Sequence, residues 1–248
     1  MNGFELHNIA HLSASTINLF AAEPALFVME KLLKRRGGGV GAAAHRGTAS
    51  ESGVAAGLLD HSKSVEDCQQ IALVEFDRLT ALSADTRKAK ERDAVPGIVA
   101  TGLAELRAYG VPDVQVKIKR RLPGVPVPFI GYIDFRFNDV AITVDMKSQL
   151  RLSSEISAAH ARQVSLYVTE TNNEGRLAYV TPAKIGVYRL NNVASHIADV
   201  VNIAQRMERF LSLSPDPQVL AGVLVPNTDS FYYSDQTTRA ICREVYGL

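Results

Sequence analysis

The spacing of apolar residues first changes near residue 114, and this change limits the possible folds. Before it, apolar residues recur about every 3.6 positions, as in amphipathic helices. After it, Val114, Val116 and Ile118 alternate with polar residues, which indicates a β-strand. Helices followed by strands and further helices are typical of an α/β protein with a central mixed sheet flanked by helices.

The amino-terminal part carries recognisable helix boundaries. Ser13 or Ser15 can cap a first helix, and Pro24 permits a new helix start. Residues 25–36 fit a helix that ends in basic residues followed by three glycines. The sequence therefore predicts a helical amino-terminal region.

An alanine-rich stretch over residues 42–59 has few large side chains. If it is helical, its backbone can approach a neighbour closely, because it contains Gly47, Gly53 and Gly57. Two more helical patterns fit residues 65–109, and residues 85–92 fit a charged, exposed connection between them.

The remainder alternates between strand and helix patterns. Three strands are predicted over residues 114–119, 129–137 and 140–147, forming a meander. Ser153 or Ser154 is the predicted cap of a helix that reaches residue 170. Strands over residues 176–180 and 185–190 and a helix over residues 193–211 follow.

The second and third strands bring two aspartates together. If Asn138 and Asp139 form a two-residue loop, Phe137 pairs with Val140, and Asp134 and Asp145 lie diagonally on one face. Their Cα atoms are then about 7–8 Å apart. This arrangement suits one hard cation between two carboxylates.

Phosphodiester hydrolysis would use such a pair, because Mg²⁺ or Mn²⁺ held by carboxylates neutralises the scissile phosphate and activates water. Lys147 lies two residues beyond Asp145 and shares its face, so it can orient the water or stabilise developing charge. Considered alone, Asp145 and Lys147 are more typical of an ordinary ion pair on a solvated sheet face.

Composition narrows the class of protein. With 27 basic and 26 acidic residues the formal net charge is +1, so nucleic-acid binding would depend on local patches. The 2 cysteines are too few for a four-thiolate metal site or a disulfide framework. With neither a leader nor a membrane-spanning segment in the pattern, we expect a cytoplasmic protein that does not bind a membrane.

Three segments occur in the order and spacing of one known superfamily. They are 131–134 (Gly-Tyr-Ile-Asp), 144–148 (Val-Asp-Met-Lys-Ser) and 163–167 (Gln-Val-Ser-Leu-Tyr). The chain resembles the PD-(D/E)XK nucleases, in the RecB-like and phage lambda-exonuclease-like branch with a Gln-x-x-x-Tyr motif. Residues 45–51 and 13–24 resemble the first motif and the amino-terminal segment of that branch.

The resemblance implies a restriction-endonuclease-like core and specific roles. Glu51, Asp134, Asp145 and the carbonyl of Met146 would bind Mg²⁺ or Mn²⁺, and Lys147 would be the catalytic lysine. Gln163 and Tyr167, four residues apart on one helix face, would support the site and contact DNA. Three of these residues also fit a plainer role. Glu51 fits a solvated helix residue, and Gln163 and Tyr167 fit residues that pack on the sheet.

Candidate DNA contacts follow from the resemblance and from local charge. They are Ser13, Ser15, Arg46, Lys117, Lys119, Arg120 and Arg121. A solvated strand edge explains the last four equally well. His45 and His160 are candidates for extra ligands or ordinary surface or core histidines, and Phe231, Tyr232 and Tyr233 are candidates for stacking on bases or for the core.

The resulting expectation is a single nuclease domain over 1–248, with a helical part at 1–112, a catalytic part at 113–212 and an extension at 213–248. It would be an Mg²⁺- or Mn²⁺-dependent DNA exonuclease of recombination or repair, phage-encoded and working in the host cytoplasm. No iron–sulfur cluster is expected. Partners would be linear duplex or single-stranded DNA, an annealing protein or recombinase, and further copies of the chain. The alternatives are a nuclease-fold binding module with little catalysis and a structure- or site-specific endonuclease.

Overall fold

The computed structural model describes residues 1–247, apart from the side chain of residue 170. The helices are α1 (Gly3–Leu6), α2 (Ala14–Ala22), α3 (Pro24–Phe27), α4 (Ala42–Leu59), α5 (Val65–Leu79), α6 (Lys88–Leu106), α7 (Ala158–Thr171), α8 (Val193–Leu211), α9 (Pro217–Gly222) and α10 (Gln236–Tyr246). The strands are β1 (Asp113–Arg120), β2 (Phe129–Phe137), β3 (Ile142–Ser148), β4 (Glu174–Val180) and β5 (Ile185–Arg189).

The chain forms two compact units. One, called here the α/β unit, comprises Gly39–Lys117 and Tyr132–Val193. The other, called the three-segment unit, comprises Met1–Gly38, Ile118–Gly131 and Ala194–Leu248. Every residue for which the sequence predicts a catalytic role belongs to the α/β unit.

The strands form one mixed sheet in the order β1-β2-β3-β4-β5. β3 pairs with β2 and β4 with β5 in antiparallel fashion, whereas β3 and β4 are parallel. A parallel pair requires a crossover connection, and α7 supplies it here. The predicted α/β class, with a mixed sheet flanked by helices and a helical amino-terminal region, is confirmed.

Helices cover both faces of the sheet in the α/β unit. Ala178 and Val180 of β4 pack in a core with α4, α5 and α6, while Leu177 and Tyr179 pack with α7. Successive side chains of a strand point to opposite faces, so β4 is buried on both sides. The central strands therefore have few positions at which a polar side chain can reach water.

Two glycines of α4 allow close helix packing, as the sequence predicts. A Cβ atom added at Gly53 would lie 2.6 Å from the carbonyl oxygen of Cys68 on α5. At Gly57 it would lie 2.8 Å from the sulfur of the same cysteine. Gly47 differs, because its added Cβ would meet only the hydroxyl of Ser148, at 3.5 Å.

Three predicted boundaries are wrong. Ser157 caps α7, accepting the N–H of His160, whereas Ser153 binds Gln149 in the preceding loop. The connection predicted at residues 85–92 is already helical from Lys88, and Glu91 is buried. Residues 25–36 do not form one α-helix, because a π-helical turn (Val28–Leu32) follows α3.

The three-segment unit has a small apolar core of its own. Leu26 and Met29 pack with Tyr233 and Cys242, and the Tyr246 hydroxyl donates to the carbonyl of Ala25 at 2.7 Å. α10 and the turn before it therefore close over α3. Both cysteines of the chain are buried and free.

The long helices are amphipathic. α8, for example, buries Val200, Ala204, Met207 and Leu211 along one face and exposes charged residues such as Arg206 and Arg209. Within residues 1–247, we find no helix with both the length and the apolar character that crossing a membrane requires.

The glycine contacts lead to a first prediction. Gly53→Ala should lower the free energy of unfolding by about 1–3 kcal/mol, because α5 must move away from the new methyl group. Gly47→Ala, on the same helix, should be neutral or raise it by up to about 1 kcal/mol, because alanine favours helix and the added contact is ordinary. Urea unfolding followed by circular dichroism measures both, and equal effects would contradict the packing described.

Candidate metal centre

The hairpin between β2 and β3 brings Asp134 and Asp145 to one side of the sheet. Phe137 pairs with Ile142 and Phe135 with Val144, so the predicted pairing of Phe137 with Val140 is wrong by two positions. The loop is longer than predicted, with Ala141 in the left-handed region at a φ of 52°. A shift of two preserves the alternation of faces, so the two aspartates still share a side.

Asp145 lies at the centre of a hydrogen-bonded network and is 0% exposed. Its Oδ2 is 2.6 Å from the Nζ of Lys147, and its Oδ1 accepts the Nε2–H of Gln163 at 2.9 Å. The Gln163 amide also donates to the hydroxyl of Tyr167 at 2.9 Å. The spacing of four residues on α7 therefore joins both side chains of the Gln-x-x-x-Tyr motif to the carboxylate on β3.

Asp134 approaches β3 from the neighbouring strand. It is 8% exposed, and its Oδ2 accepts the backbone N–H of Met146 at 2.9 Å. A side chain thus occupies a position where a β-ladder would place a backbone carbonyl. The contact fixes the Asp134 carboxylate beside residue 146, whose carbonyl the sequence predicts to be a ligand.

Glu51 reaches the site from α4, where the side chain of Gln115 on β1 donates a hydrogen bond to it. Gln115 has a φ of 52°, a left-handed conformation that side chains other than glycine rarely adopt. Local strain of this kind is found where surrounding contacts demand one orientation. The sequence pattern did not identify Gln115, because nothing in a strand pattern marks a positive φ.

The three carboxylates repel one another. Burial and the charges of Asp145 and Glu51 raise the pKa of Asp134 well above its usual range. Burial, followed by the charge of Asp145, also raises the pKa of Glu51, against the hydrogen bond from Gln115. The site therefore holds more negative charge than its own groups neutralise, which favours a bound cation.

The negative charge of Asp145 also shifts the pKa values of Lys147 and Tyr167. Burial opposes the positive charge of Lys147, but Asp145 and Asp134 outweigh it and raise the pKa of the ammonium above its usual value. Burial and the charge of Asp145 raise the pKa of the Tyr167 hydroxyl. Lys147 is thus held charged, and Tyr167 is held neutral as a hydrogen-bonding group.

The donor atoms suit a hard divalent cation, and one of them, Asp145 Oδ2, can still accept a further ligand contact. Apart from the contact with Lys147, Asp145 Oδ2 accepts no regular hydrogen bond although it is fully buried. Oxygen donors of this type are those that Mg²⁺ and Mn²⁺ prefer. Among residues 1–247, apart from the side chain of residue 170, no cluster of three carboxylate, imidazole or thiolate groups able to hold a metal ion is found.

Arg46 does not have the position that its predicted phosphate contact requires. It is 6% exposed and forms an ion pair with Glu91, which is 4% exposed. Its guanidinium also donates to the carbonyl of Ser148 at 3.0 Å and to its hydroxyl at 3.3 Å. Arg46 therefore fastens the end of β3 to α4 and α6 and acts within the protein.

The other candidate DNA contacts lie in different places. Lys117 is an exposed residue of the α/β unit. Ser13 caps α2 by accepting the N–H of Thr16, and Ser15 is exposed. In the three-segment unit Lys119 and Arg121 are exposed and Arg120 is half-buried. Of the carboxy-terminal aromatics, Phe231 is 80% exposed and Tyr232 44%, whereas Tyr233 belongs to the core.

The comparisons with known proteins add little. No protein-family model and no curated protein matches the sequence. One solved structure with some similarity, described as "Crystal structure of SSO0001", is 18% identical. The alignment covers 64% of this chain and 85% of that chain, with a TM-score of 0.35. A TM-score of this size does not define a shared fold.

The buried ion pair leads to a second prediction. Arg46→Met should lower the free energy of unfolding by about 3–5 kcal/mol, because it leaves the Glu91 carboxylate buried and unpaired. Arg78→Met is the matched control, since Arg78 pairs with Glu75 at the surface with 67% of its side chain exposed, and it should cost less than about 1 kcal/mol.

A further variant separates the lost charge pair from lost packing. Replacing both partners, as Arg46→Met with Glu91→Leu, should recover much of the stability, because no unpaired charge remains. Urea unfolding measures all three proteins. A loss for Arg46→Met no larger than that for Arg78→Met would contradict the role assigned to the pair.

The raised pKa of Asp134 leads to a third prediction. A carboxyl group whose pKa is raised by folding destabilises the folded state progressively as pH rises above the unfolded value. In EDTA at pH 7.5, Asp134→Asn should therefore raise the thermal midpoint by about 2–4 °C, and the gain should disappear toward pH 4. The asparagine oxygen can still accept the N–H of Met146.

The control for this experiment is Asp113→Asn. Its carboxyl is exposed, and the hydrogen bond from Arg136 lowers its pKa, so neutralising it should give no gain at pH 7.5. A lower midpoint for Asp134→Asn than for the wild type at pH 7.5 would show that repulsion does not dominate at this residue.

Proposed function

We propose that the chain is an Mg²⁺- or Mn²⁺-dependent deoxyribonuclease with a PD-(D/E)XK active site and a restriction-endonuclease-like core, in the branch with a Gln-x-x-x-Tyr motif. The observation that carries this proposal is the fully buried Asp145, in contact with Lys147 on its own strand and with Gln163 on the following helix. A solvated surface ion pair would not be placed in this way.

The order of the contributing elements supports the proposal. Glu51 comes from the helix before the sheet, Asp134 from β2, Asp145 and Lys147 from β3, and Gln163 from the crossover helix α7. The helix and strand patterns of the sequence predict each of these residues on an element of the same type. Their charges act on one another, although the residues come from distant parts of the sequence.

The residues of this chain would divide the work as follows. Glu51, Asp134, Asp145 and the carbonyl of Met146 would hold the ion, which supplies positive charge opposite the scissile phosphate. Lys147, held charged by Asp145, would orient the attacking water and stabilise charge that develops on the phosphate. Gln163 and Tyr167 would keep the Asp145 carboxylate in one orientation.

Within this class we favour a DNA exonuclease of recombination or repair, of the phage type, acting on linear DNA. Lys117, Lys119, Arg120 and Arg121 remain candidate phosphate contacts. A single-strand annealing or recombinase partner and assembly with further copies of the chain are part of the same proposal. A site-specific endonuclease is the nearest alternative, and circular DNA distinguishes it.

A second candidate function is a nuclease-fold module that binds DNA or a partner protein with little catalysis. One observation favours it: Glu51 and Asp145 already have protein partners in Gln115 and Lys147. Metal binding separates the two candidates. In calorimetry, a nuclease shows an Mn²⁺ site that Asp134→Ala removes, whereas such a module shows none.

The fourth prediction concerns cleavage. The wild type should degrade end-labelled linear DNA, duplex or single-stranded, with Mg²⁺ or Mn²⁺ and be inactive in EDTA. Asp145→Asn and Lys147→Met should each reduce the rate at least about 10²-fold, because each removes a charge that acts on the reacting phosphate.

The chain offers a matched control pair. Asp60 and Lys63 also form a carboxylate–lysine contact of 2.6 Å, but with about two-fifths of each side chain exposed. Asp60→Asn and Lys63→Met should leave the rate unchanged. Cleavage in EDTA, or cleavage that survives Asp145→Asn, would rule out the mechanism, and cleavage of circular DNA would replace the exonuclease with an endonuclease.

A further inference from the structure

His160 stands beside the candidate metal centre without belonging to the motifs that identify it. It lies in the first turn of α7, three residues before Gln163, and its backbone N–H donates to the capping hydroxyl of Ser157. Residues three apart on a helix are neighbours, so His160 lies on the side of α7 that carries Gln163. Its ring is half-buried.

Tyr179 holds this ring in place. The Tyr179 hydroxyl is 2.7 Å from Nδ1 of His160, and the ring centroids are 5.5 Å apart. Tyr179 is 1% exposed, and on β4 it pairs directly with Lys147 of β3. The side chain on which His160 rests is therefore the immediate neighbour of the proposed catalytic lysine.

The contacts around Tyr179 fit the tautomer of His160 in which Nδ1 accepts a hydrogen bond. The backbone N–H of Ser157 donates to the Tyr179 oxygen at 3.3 Å, and in this tautomer the Tyr179 hydroxyl donates its proton to Nδ1 of His160. A neutral imidazole with Nδ1 as acceptor carries its proton on Nε2. Within residues 1–247 no hydrogen bond to Nε2 is present.

Burial and the charge of Lys147 favour a neutral His160 ring. Burial, followed by the ammonium of Lys147, lowers the pKa of His160, and the opposing effect of Asp145 is smaller. A neutral ring with Nδ1 engaged and Nε2 protonated cannot ligate a metal through either nitrogen. In this tautomer His160 would not be an extra metal ligand, and its Nε2–H would be an unused donor at the edge of the site.

We propose that His160 is a catalytic residue whose Nε2–H donates a hydrogen bond to a non-bridging oxygen of the DNA phosphate bound at Asp145 and Lys147. The inference rests on the proposed function, because it needs a phosphodiester at that position. A fixed, neutral donor stabilises charge that grows on the phosphate oxygens without adding positive charge that would oppose the metal. Tyr179 is then a positioning residue, which selects the tautomer.

Substitutions that mimic one ring nitrogen at a time test the proposal in the full-length protein. Under single-turnover conditions with linear DNA and Mn²⁺, His160→Ala and His160→Asn should each lose about 10²-fold in rate. His160→Gln should retain a rate within about tenfold of the wild type, because its amide reaches the position of Nε2. His61→Ala, a change at an exposed histidine of the same unit, should have no effect.

Two further measurements separate catalysis from structure. All His160 variants should remain folded at the assay temperature and keep the wild-type Mn²⁺ affinity, which a ligand role would change, although His160→Ala should lower the thermal midpoint because the buried Tyr179 hydroxyl loses its partner. Long-range ¹H–¹⁵N NMR of the ring should show the Nε2–H tautomer in the wild type and a mixture in Tyr179→Phe, whether or not DNA is cleaved.

The outcomes separate this inference from the function on which it rests. Loss of cleavage in Asp145→Asn with full activity in His160→Ala would overturn the role of His160 and leave the nuclease intact. An Nδ1–H tautomer, or weaker Mn²⁺ binding by His160→Gln, would also overturn it. A wild type that cleaves no DNA with either metal would instead overturn the proposed function.

Discussion

The candidate site depends on a carboxylate that water cannot reach. Asp145 lies on β3, which α4–α6 and α7 cover on opposite faces, and it is fully buried. Burial of a charge is unfavourable unless it is paired and hydrogen-bonded. Lys147 and Gln163 meet this requirement, and Tyr167 then positions Gln163. The buried Asp145 on β3 is thus the reason why Lys147 and the two polar residues of α7 form one connected network.

The surrounding framework limits how far this site can relax. α4 carries Glu51 toward the sheet and is held against α5 through Gly53 and Gly57, where added side chains would clash. Arg46 of the same helix binds Glu91 and the end of β3. The helix that supplies one carboxylate is therefore fixed to the strand that supplies another, which is the kind of support that preorganised sites require. Mutual repulsion among the carboxylates lowers the stability of the fold, and a bound cation would offset this loss by neutralising their charge.

Local patterns predicted much of the architecture. The change from helical to strand spacing near residue 114 located β1, the alanine-rich stretch located α4, and helix α8 was predicted with its observed ends. The predictions were wrong where a short sequence pattern is compatible with more than one local structure. Three serines precede α7, and only packing chooses Ser157 as the cap. The loop of the β2–β3 hairpin is longer than the two residues Asn138 and Asp139 that the sequence predicts. It includes Ala141 in a left-handed conformation, which an alanine in the sequence does not indicate.

The sequence by itself determined the α/β class, the sharing of a face by Asp134 and Asp145, and the spacing of Gln163 and Tyr167, because each follows from the fixed periods of strands and helices. Tertiary structure alone decided which of these groups touch. Arg46, expected at a phosphate, lies in the interior, while Gln115 on β1 and Tyr179 on β4 reach Glu51 and His160. Contacts of this kind depend on how the helices pack on the sheet and on which buried charges need partners. The spacing of residues along a helix or strand predicts neither.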